Sequence, residues 1–226
     1  NGYIYAVVPS RADTGLVKVL VGFDSLKKSF EFTRKFNYIF RKNVSTLCGE
    51  TNSDGTEKEL DGLISKALFM WPIWLQIDKD DNIFVVDWQR GLRKINISKG
   101  EVTTLYRFSG DVKTVRSFAL SISQDSIIIC NDQGSDLQTG LLLLTRKGGF
   151  MNTSVLLRES NLNAVSVNPV TGEIFYCKWN GGTIKRFNPN TGKSDVMLTL
   201  FGNGGQVLSM GWSQDGLTAY ISFRDL

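Results

Sequence analysis

Four positions in the sequence, Asp78, Ser123, Asn168 and Ser213, stand 45 residues apart: 78 to 123, 123 to 168 and 168 to 213. A fixed spacing in this range marks a repeat architecture, in which one supersecondary unit stacks on copies of itself. The apolar positions keep step. Leu75, Leu120, Val165 and Met210 share one register, and Ile77, Ile122, Val167 and Trp212 share the next. The runs that follow are IFVVD, SIIICN, EIFYCK and LTAYIS. Apolar runs of roughly four to eight residues bounded by Gly, Asp and Asn predict antiparallel strands.

The best-defined copy covers residues 67–107. IWLQID, IFVVD, GLRKINI and EVTTLYR predict four strands, joined by turns at Lys79–Asn82, Asp87–Arg90 and Ser98–Gly100. Four strands in about forty residues make one meander sheet, the blade of a β-propeller. The expected fold is therefore all-β, a β-propeller of four-stranded blades. Blades are expected near 72–107, 116–158 and 162–201, with a fourth starting at 207. The polar stretch 50–66 reads as a loop into the first of them. Val44–Cys48 reads like Val102–Leu105, the fourth strand of the first blade. It is expected to pair as an outer strand of a blade late in the chain, because closure of this kind removes an exposed sheet edge.

Ala67, Phe69, Pro72, Ile77, Asp78, Asn82, Val85, Asp87, Arg93, Ile95, Gly100 and Val102 together resemble an NHL repeat. The segment VNPVTGEIFYCKWNGGTIKRFNPNTG is a weaker copy, and the second repeat diverges most, with Gly134–Gly140 in place of a compact turn. Residues 1–42 do not follow the period. They predict three strands, Tyr3–Val8, Gly15–Phe23 and Ser29–Phe40, with a turn at Pro9–Asp13. Their pattern IYAVVPSRADTGLVKVLVG…SFEF resembles the C-terminal half of an IPT/TIG domain, an Ig-like β-sandwich. Two domains follow: 1–42, a β-sandwich fragment, and 43–226, an NHL-like propeller. The NHL resemblance implies about six blades in a full ring, so the propeller is expected to be incomplete at its C-terminal end.

A TIG-like module ahead of an NHL-like propeller is similar to envelope proteins of Gram-negative gut commensals. That likeness implies a cell-surface or periplasmic location, with membrane contact only through a lipid anchor outside this chain. It also implies a non-catalytic module that binds a glycan or a protein. Two alternatives belong to the same fold: a calcium-dependent lactonase or lyase, and an RNA-binding NHL propeller. The chain contains no histidine. Ser-His-Asp and Cys-His catalysis are thereby excluded, as are His-based zinc sites. No catalytic residue, cofactor or metal is assigned. The net charge of +4 comes from scattered Lys and Arg, with no basic stripe for nucleic acid. Cys48, Cys130 and Cys177 lack CxxC or metal spacing and are expected to be reduced and mostly buried.

Blade topology selects the candidate site. Loops entering a first strand and loops joining strands two and three fall on one face of a propeller. That face would carry Trp71, Trp88, Arg90, Arg116, Asn163, Trp179 and Asn180. Indole faces stack on the apolar faces of pyranose rings, and amides and charged groups take the hydroxyls. The alternative for each Trp is a wedge between adjacent blades. Trp74 and Trp212 lie within inner strands and are expected in the core, and Asp87 is expected to hold loop backbone.

Overall fold

The structure, a computed structural model, describes residues 15–21, 28–36, 45–49, 59–88, 90–110, 112–132, 139–147, 150–200 and 205–224. The chain divides into two compact units, Asn1–Ser45 and Thr46–Leu226. In the first, β1 (Gly15–Val21) pairs antiparallel with β2 (Lys28–Phe36). The expected strand Tyr3–Val8 and the turn Pro9–Asp13 lie outside the described residues.

The second unit is a series of antiparallel meanders. The first sheet holds β4 (Pro72–Ile77), β5 (Ile83–Asp87), β6 (Gly91–Asn96) and β7 (Glu101–Arg107), in that order from its inner strand outward. A short β3 (Gly62–Leu63) adds a fifth strand beside β7. The second sheet holds β8 (Val115–Leu120), β9 (Ser126–Asn131), β10 (Gly140–Lys147) and β11 (Phe150–Arg158). The third holds β12 (Leu162–Val167), β13 (Ile174–Lys178), β14 (Thr183–Asn188) and β15 (Lys193–Thr199). β16 (Gln206–Trp212) and β17 (Ala219–Arg224) form a fourth, two-stranded sheet. The third strands β6 and β10 both begin at glycine for a steric reason. A Cβ on Gly91 would lie 2.6 Å from the Tyr106 carbonyl, and one on Gly140 would lie 1.8 Å from that of Leu157.

The inner strands share one design. Each carries a bulge near its start, between Pro72 and Trp74, Val115 and Ser117, Leu162 and Ala164, and Val207 and Ser209. Each ends in a turn closed by the N–H of the residue after the strand, namely Asp78, Ser121, Asn168 and Ser213. The true spacings are thus 43, 47 and 45 residues (78 to 121, 121 to 168, 168 to 213). Ser123 is displaced from the series, and Phe118, not Leu120, is the counterpart of Leu75 and Val165.

Alternation along these strands sends successive side chains to opposite neighbours. Between the first and second sheets, Phe84, Val86 and Leu92 meet Phe118, Ile127 and Ile129. Between the second and third, Ile128, Cys130 and Leu141 meet Leu162, Val165 and Tyr176. Between the third and fourth, Ala164, Phe175 and Cys177 meet Val207 and Met210. Burying one such large apolar side chain stabilises the fold by about 1.5–3 kcal/mol. Polar links run across the same seams. Trp74 Nε1 donates to the Phe118 carbonyl at 3.1 Å, and Gln76 Oε1 accepts from the Leu120 N–H at 2.9 Å. Ser117 Oγ accepts from the Val165 N–H at 3.1 Å, and Asn163 Nδ2 donates to the Val207 carbonyl at 2.7 Å. Trp74 and Trp212 pack against these clusters, as expected of core residues.

The outward side of the first sheet is covered by its own approach segment. Ala67, Phe69 and Ile64 pack on Val85, Ile95 and Val102. Cys48 joins this cluster. Ser45–Cys48 forms no strand, and Val44 lies outside the described residues, so among the described residues the expected outer-strand pairing late in the chain is not made. The edge of the first sheet is taken by Gly62–Leu63 instead. An open trough of about 760 Å³ separates β4 from β16 and β17, lined by Ile73, Trp74, Leu75, Ser209, Tyr220 and Ser222 among others.

Cys130 and Cys177 are buried and free, and Cys48 is half-buried and free. Burial pushes all three thiols up, Cys177 to about 12, which keeps them unreactive at neutral pH.

Candidate functional site

The upper end of the sheets, where β4, β8 and β12 begin, gathers most of the expected residues. The residue after each second strand bonds back to the residue preceding its inner strand: Trp88 N–H to the Trp71 carbonyl at 2.9 Å, Asp132 to Thr114 at 2.9 Å, and Trp179 to Asn161 at 2.6 Å. Trp88, Asp132 and Trp179 are therefore equivalent positions. Asp132 matches Trp88, not Asp87; the counterpart of Asp87 is Asn131.

Asp87 is fully buried and organises the approach to the first sheet. Its Oδ1 accepts from the Trp71 N–H at 2.6 Å, and both oxygens accept from the Met70 N–H at 3.1 Å. Arg93 Nη1 lies 3.3 Å from Asp87 Oδ2. The same guanidinium pairs with Asp61 Oδ1 at 2.8 Å and sits 4.2 Å from the Phe69 ring centroid. Burial pushes the Asp61 carboxyl up, but hydrogen bonds from Thr104 and Arg93 outweigh this and leave it below the usual range. Asp87 thus has the backbone-holding role expected of it, and it fixes the main chain at Trp71.

Trp71 and Trp88 stack on each other, with ring centroids 5.2 Å apart and planes inclined by 20°. Trp71 remains 50 % exposed. The pair forms a small aromatic shelf at the head of the first sheet. Arg90 is exposed beside it, and its Nε reaches Met70 Sδ at 2.8 Å, next to Trp71 in the chain.

A second aromatic position spans the second and third sheets. The Arg116 guanidinium lies 4.6 Å from the Trp179 ring centroid, and its Nε donates to Asp132 Oδ2 at 3.1 Å. Asp132 Oδ1 in turn accepts from the Asn161 N–H at 3.0 Å. Asn180 is exposed on the following turn. Asn163 is not brought to this group. It occupies the inner-strand bulge, is buried, and its amide is held by the Val207 carbonyl.

One polar cluster carries no signal in the sequence. Glu159 accepts from Lys178 at 2.9 Å, from Lys185 at 2.7 Å and from the Tyr176 hydroxyl at 2.6 Å. Burial pushes the Glu159 carboxyl up, yet these three donors more than offset it and the net shift is downward. Burial and the Glu159 carboxylate both push the Tyr176 phenol up. Nothing local announces these partners, since Tyr176 and Lys178 come from β13, Lys185 from β14 and Glu159 from the turn after β11.

Among the described residues, no group of three or more His, Cys, Asp or Glu side chains is placed to hold a metal ion. The turn aspartate Asp78 accepts from the N–H groups of Asp80 and Asn82, at 2.9 and 2.8 Å, as an Asx turn does. No helix among the described residues is long and apolar enough to cross a membrane.

No family profile and no curated protein matches this chain. Solved structures do. An auxiliary nutrient binding protein of Bacteroides thetaiotaomicron is 28% identical, with a TM-score of 0.68 over 95% of this chain and 51% of the other. A second auxiliary nutrient binding protein, from Bacteroides ovatus, is 24% identical, with a TM-score of 0.67 over 92% of this chain and 50% of the other. A third, from Bacteroides thetaiotaomicron and assigned only provisionally to the phosphatases, is 17% identical, with a TM-score of 0.66 over 95% of this chain and 55% of that one. The chain spans about half the length of these structures. Repeated antiparallel meanders stacked face to face, together with these likenesses, make the architecture an all-β propeller.

Proposed function

We propose that this chain is part of a non-catalytic binding module of the bacterial cell envelope, which captures a glycan or protein ligand on the upper face. The observation that carries the reading is the Trp71–Trp88 stack, with Trp71 half exposed and its main chain held by the buried Asp87 carboxylate. An aromatic shelf fixed by a rigid scaffold loses little conformational freedom on binding, which favours affinity. The likeness to auxiliary nutrient binding proteins supports the same role. An NHL-like nature of the blades, an IPT/TIG-like nature of residues 1–42 and a lipid anchor outside the chain belong to this proposal. They rest on the sequence marks and on the source of the similar structures.

Glycan-array binding and thermal unfolding of Trp71→Ala and Trp88→Ala test the reading. A stacked ring is worth about 1–3 kcal/mol, so either substitution should weaken binding roughly ten- to a hundredfold while the protein stays folded. A destabilised protein whose folded fraction binds as before would instead make the two indoles structural.

A further inference from the structure

The two aromatic positions of the upper face differ in what already occupies them. At Trp179 the ring is covered by the Arg116 guanidinium, and that charge is matched by Asp132. At Trp71 and Trp88 the ring of Trp71 is half exposed, and Arg90 stands beside it with its Nε on Met70 Sδ. Among the described residues no carboxylate pairs with Arg90. A second unbalanced charge lies on the same end of the sheets, where Glu159 is shared by two lysines, Lys178 and Lys185. The opposite end carries the turn carboxylates Asp78, Asp80, Asp81, Asp125 and Asp215. The upper face is thus the basic one. Other exposed cations, Lys113 and Arg158, lie at this end too, but Arg90 is the one that touches the segment carrying the open aromatic shelf.

Resting on the binding role proposed above, we infer that the shelf takes a carboxylate-bearing saccharide, with one sugar ring laid on Trp71 and the acid group received by Arg90. The planar guanidinium fork matches a carboxylate in two parallel hydrogen bonds, whereas a neutral sugar hydroxyl uses only part of it. The indole supplies the contact common to any pyranose. The guanidinium supplies the choice between acidic and neutral rings. Electrostatic attraction at an exposed site weakens with added salt, and stacking does so far less.

The test is calorimetric titration of the purified chain with oligogalacturonate and with neutral galacto-oligosaccharide of equal length, at low and high salt. Oligogalacturonate should bind at least about tenfold more tightly. That margin should shrink as salt is raised and disappear in Arg90→Gln. Trp71→Ala should weaken both ligands, with thermal unfolding confirming that each variant is folded. Equal, Trp71-dependent binding of the two sugars would overturn the acid preference and leave the shelf standing. So would a preference that survives Arg90→Gln. Failure of both sugars to bind, or binding indifferent to Trp71→Ala, would overturn the shelf and the preference together.

Discussion

Leu75 and Phe118 hold the same register position in adjacent sheets, directed toward the preceding neighbour in the stack. Phe118 is 0% exposed against Phe84 and Val86 of the first sheet, whereas Leu75 borders the trough and is 62% exposed. The other side of the trough repeats the contrast. Phe175 is 8% exposed where the third sheet meets the fourth, and its counterpart Tyr220 is 62% exposed. One residue pattern therefore serves two situations. A position's contribution is set by whether a sheet lies against it, not by its place in the repeat.

The largest expected effect separates these cases by stability. Phe118→Ala should cost about 3–5 kcal/mol in denaturant unfolding, and Leu75→Ala under about 1 kcal/mol. Equal costs would mean that the trough side of β4 is covered in solution, and the contrast would fail. A smaller effect concerns the hydroxyls. Ser117 Oγ satisfies a buried N–H of the next sheet, whereas its counterpart Ser209 meets only the Ser222 hydroxyl, at 2.6 Å. Ser117→Ala should cost about 1–3 kcal/mol and speed hydrogen exchange at Val165. Ser209→Ala should change stability by less than about 0.5 kcal/mol. The finest effect is a pH dependence at the rim of a filled seam. Because the folded Glu159 carboxyl lies below its ordinary value, its stabilisation is present above about pH 4.3. It is lost as the pH falls through the lower folded value. Glu159→Gln should flatten this acid limb of the unfolding curve, and an unchanged limb would place the acid sensitivity elsewhere.

Much of the fold is legible in the sequence because alternation and turn residues are local. The 45-residue period captures the average spacing but misplaces the second copy by two residues. Side chains alternate with a period of two, so a two-residue slip keeps every residue on its face and leaves the hydrophobic pattern intact. Only the turn bonds of Ser121 and the bulge before Ser117 fix the register. The equivalent bulge in β12 hides the fate of Asn163, which looks like a surface amide in sequence and is held between sheets. Gly62–Leu63 is too short to show a strand pattern, and Ser45–Cys48 resembles a strand but forms none, with Cys48 packed on the first sheet. The candidate site is legible as far as topology carries it. Trp71, Trp88, Arg116 and Trp179 do reach one end of the sheets. Which aromatic is open and which is covered depends on Arg116 and Asp132, partners from neighbouring segments that no local pattern pairs.

The polar links made by the inner strands run one way, although Gln124, in a turn of the second sheet, reaches back to the Lys79 N–H at 2.9 Å. Trp74, Gln76, Ser117 and Asn163 reach forward from an earlier sheet, and in each case they meet main chain in the later one. At these four links the later sheet contributes only a peptide group, which almost any residue supplies. Duplicated units joined in this manner can drift apart in sequence without dissolving the joint, provided the reaching residue behind them is kept. Each copy is then answerable for the seam ahead of it, and the array can diverge one unit at a time.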